Sequence, residues 1–383
     1  MTHEIAERLK KIPPYLFAEI EAKTSALRAK GIDIIDFGIG DPDIPTPSEI
    51  VETLIKEVKD PANHQYPTSA GEAETRRAVA DWYFKRFGVD LDPEKEVVIT
   101  MGSKEGLVNI CRAFINPGDK VLVPSPSYPV YAQGGTLLSD GVPLRFPLLI
   151  DNNFLVDLDK LPEDAKMLFV NYPNNPTGAV ATDAFLKQLA KWGRETGTIV
   201  CYDNAYSEIT FDGYVAPSIL KYGREFIEFG SLSKTFNMTG YRIGYAVGNE
   251  SLISGLKKVK SQVDSGVPKF IQKAAICALN QYVDSKKPLS VERNCQIYLK
   301  RRDVFVRGMK SLGFDVKPPK GTFYLWIPVE ENSMDFSKRL LATGVVVTPG
   351  VGFGEYGEGY VRIALTQPVE RIEEAIERMR EIL

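Results

Sequence analysis

The stretch Ser231-Leu-Ser-Lys-Thr-Phe-Asn-Met-Thr-Gly-Tyr-Arg-Ile-Gly-Tyr245 sets one lysine, Lys234, among hydroxyls and places an arginine eight residues further on. A lysine held in a pocket beside other cations has a depressed pKa and can attack a carbonyl to form a Schiff base. Ser231, Ser233 and Arg242 offer the hydroxyl and charge-assisted hydrogen bonds that a phosphate dianion needs, the arginine through a planar, bidentate fork. The segment therefore predicts a site for an aldehyde cofactor that carries a phosphate.

Such a set has to be held by a framework, and the rest of the chain supplies one. Short β-branched runs recur at Val97–Thr100, Lys120–Val123, Met167–Val170, Thr198–Tyr202, Phe226–Gly230 and Ile243–Val247, with helical stretches between them. That alternation predicts an α/β fold with a mostly parallel sheet covered by helices. Phe185–Trp192 repeats apolar residues at helical spacing, and Thr182-Asp183 can cap its start. Beyond about residue 290 the pattern changes to a long polar helix, strands near Phe323–Val329, Val345–Thr348 and Tyr360–Thr366, and a closing helix, Val369–Leu383, with Ile372, Ile376 and Met379 on one face. We expect a large domain over residues 45–285 and a smaller α+β domain formed by residues 1–44 and 286–383. The segment Gly40-Asp-Pro-Asp-Ile-Pro-Thr-Pro47 would cross between them.

In an open parallel sheet, ligands bind beyond the carboxyl ends of the strands. After Thr100 comes Met101-Gly-Ser-Lys-Glu-Gly106, where Ser103 and free backbone N–H groups can take a phosphate at a positive helix end and Lys104 adds charge. Alone, that motif reads equally as a glycine-containing helix start with a solvated lysine. After Val170 comes Asn171-Tyr-Pro-Asn-Asn-Pro-Thr-Gly178, and after Tyr202 comes Asp203-Asn-Ala-Tyr206. An aspartate opposite a pyridine nitrogen keeps it protonated and lets the ring act as an electron sink. Asp203 suits that task, with Tyr206 and Asn175 on the ring's phenolic oxygen. Singly, Asp203 could be a helix cap and Asn175 a turn residue. Jointly they say more: Asn175, Asp203 and Lys234 lie 28 and then 31 residues apart, one strand–helix unit each, so all three can meet at one sheet edge.

Composition narrows the field. A net charge of −3 spread over both signs leaves no footprint for nucleic acid or an acidic membrane surface. No apolar run approaches a membrane span, and the start of the chain has no apolar signal region, so a cytoplasmic protein with a small-molecule partner is expected. Cysteines 111, 201, 277 and 295 form no Cys-x-x-Cys pair and read as buried free thiols. With histidine only at positions 3 and 64, no metal site is expected and acid–base chemistry falls to Lys, Tyr, Asp or Glu.

These motifs carry a resemblance. Asn-Tyr-Pro-Asn-Asn-Pro-Thr-Gly, Tyr-Asp-Asn-Ala-Tyr-Ser-Glu-Ile and Ser-Leu-Ser-Lys-Thr-x4-Gly-x-Arg-x-Gly are similar, together, to those of the class I/II aminotransferases, fold-type I enzymes of pyridoxal 5′-phosphate, and the likeness covers essentially the whole chain. It implies a seven-stranded sheet and a homodimer with active sites at the subunit interface. Lys234 would carry the cofactor, Tyr128 of Pro126-Ser-Tyr-Pro-Val-Tyr131 would stack on its ring, and Tyr66 would reach the phosphate of the partner subunit. Arg362 matches the family arginine that clamps the substrate α-carboxylate, fixing the scissile C–H bond perpendicular to the ring. The freed Lys234 amine would move the Cα proton as base and then acid, hydrolysis would release a 2-oxo acid, and a second oxo acid such as 2-oxoglutarate would complete a ping-pong cycle.

Within the family the chain most resembles the LL-diaminopimelate aminotransferases of lysine biosynthesis. The segments that carry this are Ile12–Ile20, Gly38–Pro47, Gly102–Gly106, Val263–Gly266 and Pro349–Gly359. By that likeness Tyr15, Gly40, Lys104, Tyr128 and Asn175 contact substrate. Two positions depart from it: Ser69 stands where well-known members have a glutamate suited to a distal ammonium, and Lys269 stands near Gly266 where they have an asparagine. Lys269 could bind a distal carboxylate or be a solvated helix-start residue. Donors such as aspartate, alanine or methionine remain the alternative. A β-lyase or synthase would keep every cofactor residue, whereas a ligand-sensing regulator would need a DNA-binding module for which the chain has no spare segment.

Overall fold

The computed structural model describes residues 3–13 and 16–383. Its strands are β1 (Ile35–Asp36), β2 (Val97–Thr100), β3 (Lys120–Ser125), β4 (Val142–Pro147), β5 (Met167–Asn171), β6 (Ile199–Asp203), β7 (Ile227–Ser231), β8 (Gly244–Gly248), β9 (Tyr324–Pro328), β10 (Val345–Val346), β11 (Thr348–Pro349) and β12 (Tyr360–Ala364). Seven of them form one sheet in the order β2-β8-β7-β6-β5-β3-β4. Only β8 runs against its neighbours, β2 and β7. All the other strands in this sheet therefore end at the same edge, where β8 begins.

Strand periodicity builds two cores from one sheet. Along β5, Met167 and Phe169 join a cluster with Val121, Cys201 and Phe229, while Leu168 and Val170 face the opposite cluster with Leu122, Val200 and Tyr202. Successive side chains point to opposite faces, so strands apolar on both faces need helices on both sides of the sheet. The helix Asp183–Thr196 covers one face with Phe185, Leu186, Leu189 and Ala190; it is capped by the Thr182 hydroxyl, which accepts from the Phe185 N–H, and it stops at Gly197 in the left-handed region. The helix Ser103–Phe114 packs into the other cluster through Leu107, Ile110 and Cys111.

Two expectations were too simple. β4 carries Pro143 and Pro147 and was not expected as a strand; it lies at the sheet edge, where a missing N–H costs no ladder bond. The run Val345–Thr348 is not one strand. β10 pairs with β1, and β11 joins the antiparallel sheet β11-β12-β9 after a break at Val347.

Residues 35–40 run among these C-terminal strands. The Phe37 N–H donates to Val346 O, and Phe37 O accepts from the Ala364 N–H. Arg301, on the long helix Leu289–Ser311, holds Asp43 with two bonds of 2.7 Å, and Thr46 Oγ1 donates to Asn237 O. The Pro-rich segment 40–47 is thus tied both to that helix and to the loop after Lys234. Among the described residues no helix is long and apolar enough to cross a membrane.

Candidate functional site

At the carboxyl edge of the seven-stranded sheet lies a cavity of about 610 Å³. The strand ends deliver its floor: Asn171 closes β5, Asp203 closes β6 directly opposite it in register, and Ser231 closes β7. Asp203 is buried. Its carboxylate accepts from Tyr131 Oη at 2.7 Å and from the Ala205 N–H, while Asn171 Nδ2 donates to its backbone oxygen. Burial pushes the Asp203 carboxyl up to about 6, and the Tyr131 and Ala205 donors pull it back.

Lys234 follows β7 in a short helical turn capped by Ser231, whose Oγ accepts from the Ser233 N–H. Its Nζ donates to Gly40 O at 2.8 Å. Burial lowers its pKa to about 8; nearby Asp41 opposes the shift, and Arg362 and Arg242 add to it. A neutral amine, the form able to attack a carbonyl, then makes up about a tenth of the population at pH 7 and about half at pH 8.

One corner is shaped for an anion. Ser103 opens the helix Ser103–Phe114, whose preceding Gly102 offers no side-chain cap, and Gly102, Ser103 and Lys104 line the cavity, so the positive end of the helix stands at its wall. Ser231, Ser233 and Arg242 converge on the same cavity. Arg242 sits at φ 54 and donates to Thr239 O. A Cβ at Gly102 would come within 2.7 Å of the Arg242 guanidinium, and one at Gly244 within 2.8 Å of the Ser103 nitrogen, so both glycines are needed for this close approach.

The opposite wall comes from the C-terminal strands. Arg362 on β12 donates to Asn175 Oδ1 at 3.0 Å and to Gly38 O at 2.6 Å, with its guanidinium 4.4 Å from the Tyr324 ring centre and 4.8 Å from that of Phe353. Tyr206 Oη lies 3.0 Å from Tyr324 Oη. Burial drives the Tyr206 phenol well above its ordinary pKa, so it stays a neutral hydrogen-bonding group. Tyr128 lies half-buried at the wall, edge-on to Tyr131.

Of the residues singled out from sequence, Gly40, Ser103, Lys104, Tyr128, Asn175 and Asp203 line this cavity, as do Tyr206, Ser231, Ser233, Lys234, Arg242 and Arg362. Tyr66, 86% exposed, does not, and neither does Lys269 at the start of the helix Lys269–Asn280 or Ser69. Tyr15 lies outside the described residues. Sequence reasoning missed Tyr131, although it ends the quoted Pro126–Tyr131 motif three residues after Tyr128. It also missed Asn171, Tyr324 and Glu21. Asn171, the first residue of the quoted Asn171–Gly178 motif, was within reach; Tyr324 and Glu21 gave no local signal.

A nucleophilic amine, an anion cradle, a buried carboxylate and a guanidinium around one cavity define an enzyme that works through a phosphorylated carbonyl cofactor. The donor set fits pyridoxal 5′-phosphate: Asp203 is a desolvated carboxylate beside the cavity that gains from a cationic ring nitrogen, and the glycine-lined corner admits a phosphate. The profile of aminotransferases of class I and II matches residues 32–379, and the chain belongs to that family. It is a pyridoxal-phosphate-dependent transaminase. It is 51% identical to an LL-diaminopimelate aminotransferase of Desulforudis audaxviator, over 98% of this chain and 97% of that protein. It is 49% identical to one of Aquifex aeolicus, over 99% of each. Among solved structures it resembles substrate-bound BacF of Bacillus subtilis, with a TM-score of 0.93 and 35% identity over 100% of this chain and 98% of that one. It also resembles the aspartate aminotransferase of Thermus thermophilus with maleate, with a TM-score of 0.93 and 29% identity over 100% of both.

Proposed function

We propose that this enzyme moves the amino group of LL-diaminopimelate to a 2-oxo acid, 2-oxoglutarate being the expected acceptor, as a step of lysine biosynthesis in the cytoplasm. The observation that carries the reading is the near-half identity, end to end, with relatives of that name. The cavity supports it by offering charged groups beyond those that one amino-acid end would use.

In this reading pyridoxal 5′-phosphate supplies an electron sink for the carbanion formed at the substrate Cα. Lys234 would hold the cofactor at its carbonyl carbon, and its lowered pKa suits one amine to take up and return the Cα proton. Asp203 would serve the ring nitrogen, Tyr206 and Asn175 the ring oxygen, and Tyr128 the ring itself, all four lining the cavity. Ser103, Lys104, Ser231, Ser233 and Arg242 would hold the phosphate. Arg362, fixed by Asn175 and Gly38 and flanked by Tyr324 and Phe353, is set to clamp the α-carboxylate. Gly40 admits substrate closely, since a Cβ there would overlap the Tyr324 hydroxyl. Tyr15 and Lys269 are further substrate contacts of this reading.

The division into a large domain, 45–285, and a small one, 1–44 with 286–383, belongs to the same proposal and is supported by the pairing of β1 with β10. So does a homodimer in which Tyr66 of the partner subunit reaches the phosphate; the outward-facing Tyr66 and the half-exposed Ile39 at the cavity favour a second copy covering this side.

The test is the visible spectrum of the holoenzyme on adding LL-diaminopimelate, with aspartate, glutamate, alanine and methionine alongside. Rapid loss of the cofactor's resting band with diaminopimelate, and slow or no loss with the others, is the expected result. Conversion mainly by another donor would overturn the substrate assignment and leave the transaminase.

A further inference from the structure

LL-diaminopimelate presents a second amino-acid group at its far end, so a site that selects it needs an anion for the distal ammonium. Most charged residues of the cavity already have tasks within it. Asp203 is buried under the Tyr131 hydroxyl, Lys234 is bonded to Gly40 O, Arg242 to Thr239 O, and Arg362 to Asn175 and Gly38. Asp41 directly follows Gly40, whose carbonyl accepts from Lys234, and so stands at the reacting end. Lys104 is a cation beside the phosphate corner, which leaves Glu21 as the carboxylate available to an ammonium. Both line the cavity, both are exposed, and neither makes a hydrogen bond or ion pair with another described residue.

We infer that Glu21 is the specificity-determining residue for the distal ammonium of the donor. This rests on the diaminopimelate reading above. Glu21 stands on the helix Leu16–Ala29, ahead of the segment that brings Gly38–Asp41 into the cavity, so the recognising carboxylate comes from the same chain as Arg362. Position 69 supplies no carboxylate, being a serine. An exposed carboxylate with no protein partner contributes little to the free enzyme, but a ligand that covers it forms a charge-assisted bond in a drier setting. Specificity is a difference between donors, and a cavity charge left without its counter-ion by the wrong donor enlarges that difference.

The experiment compares LL-diaminopimelate with L-2-aminopimelate, a donor of equal length that lacks only the distal ammonium, using holoenzyme and a saturating oxo acid. In Glu21→Gln the KM for LL-diaminopimelate rises by roughly tenfold or more, with kcat and the KM for L-2-aminopimelate little changed. Glu21→Lys raises the first KM further, and Glu21→Asp restores part of it. Equal effects on both donors, or none on either, overturn the role of Glu21. If the wild-type enzyme fails to use LL-diaminopimelate while turning over another amino acid, the substrate reading itself falls and this inference with it; normal wild-type turnover with an indifferent Glu21→Gln removes this inference alone.

Discussion

The sheet-edge wall of the cavity and its rim are built on opposite terms. On the wall, polar groups hold one another: Tyr131 donates to Asp203, Asn171 ties the Asp203 backbone to the N–H of Asn175, and Asn175 accepts from Arg362. At the rim, Glu21, Ile39 and Lys104 are exposed, and the two charges have no bonded partner among the described residues. A network satisfied in advance is preorganised for one fixed occupant, whereas solvated charges take their partners from whatever arrives. The chain trace that carries this wall is shared with a relative named for a different donor, the aspartate aminotransferase that superposes at a TM-score of 0.93. In the reading proposed above, the choice of donor belongs to the rim.

The largest effect should come from the wall. Lys234→Ala is expected to cut turnover by about 10⁴-fold or more, because one amine is removed from both the cofactor attachment and the proton transfer. A variant near the native rate would break the contrast at its centre. The lysine also gives a pH signature. With its pKa lowered from 10.5 to about 8, the neutral amine grows through the range below pH 8 and is dominant above it. Uptake of pyridoxal 5′-phosphate by cofactor-free protein, followed by absorbance, should therefore speed up as pH rises to about 8 and then level off. Uptake still climbing toward pH 10 would mean that burial does not act on this amine.

Arg362 joins the two regions, since it bonds both to the wall through Asn175 and to Gly38 of the segment leading to the rim. Arg362→Ala should lower kcat/KM by about 100-fold for every amino donor, mainly through KM, while the cofactor's absorbance is kept. Equal losses for LL-diaminopimelate and for alanine would place Arg362 with the wall; a loss confined to one donor would move it to the rim.

How much of this the sequence disclosed follows the same line. Ser231–Tyr245, Asp203–Tyr206 and Asn171–Gly178 were legible because a turn that exposes a polar group at a strand end is written locally, in adjacent residues. β5 and β6 were legible because strands buried on both faces read as nearly continuous apolar runs. β4 was hidden by its prolines, and Val345–Thr348 merged because which sheet a dipeptide joins depends on distant partners, here Ile35 and Arg362. Tyr324 and Glu21 reach the cavity only through tertiary packing. No spacing within the sequence records that Tyr324 stands opposite Tyr206, more than a hundred residues away.

Tyr131 tests whether the wall's preorganisation matters in itself. Its ring stacks on Phe169 with centroids 4.9 Å apart, and its hydroxyl makes a 2.7 Å bond to Asp203, so Tyr131→Phe keeps the packing and deletes a single donor. That donor opposes the burial that lifts Asp203 to about 6, and without it the carboxyl should rise further. The carboxylate is present above its pKa and lost below it, so the variant needs a higher pH to offer the charge that a protonated ring nitrogen pairs with. The expected outcome is cofactor affinity about fivefold weaker near pH 6, equivalent to one ordinary hydrogen bond, with the gap closing by pH 8. Titration of cofactor-free protein at both pH values reads this directly. A deficit of equal size at pH 6 and pH 8 would mean that Tyr131 merely supports the fold, and no deficit would mean that the Asp203 charge needs no preset partner. Only a deficit that shrinks with rising pH ties the fixed wall to the chemistry it holds.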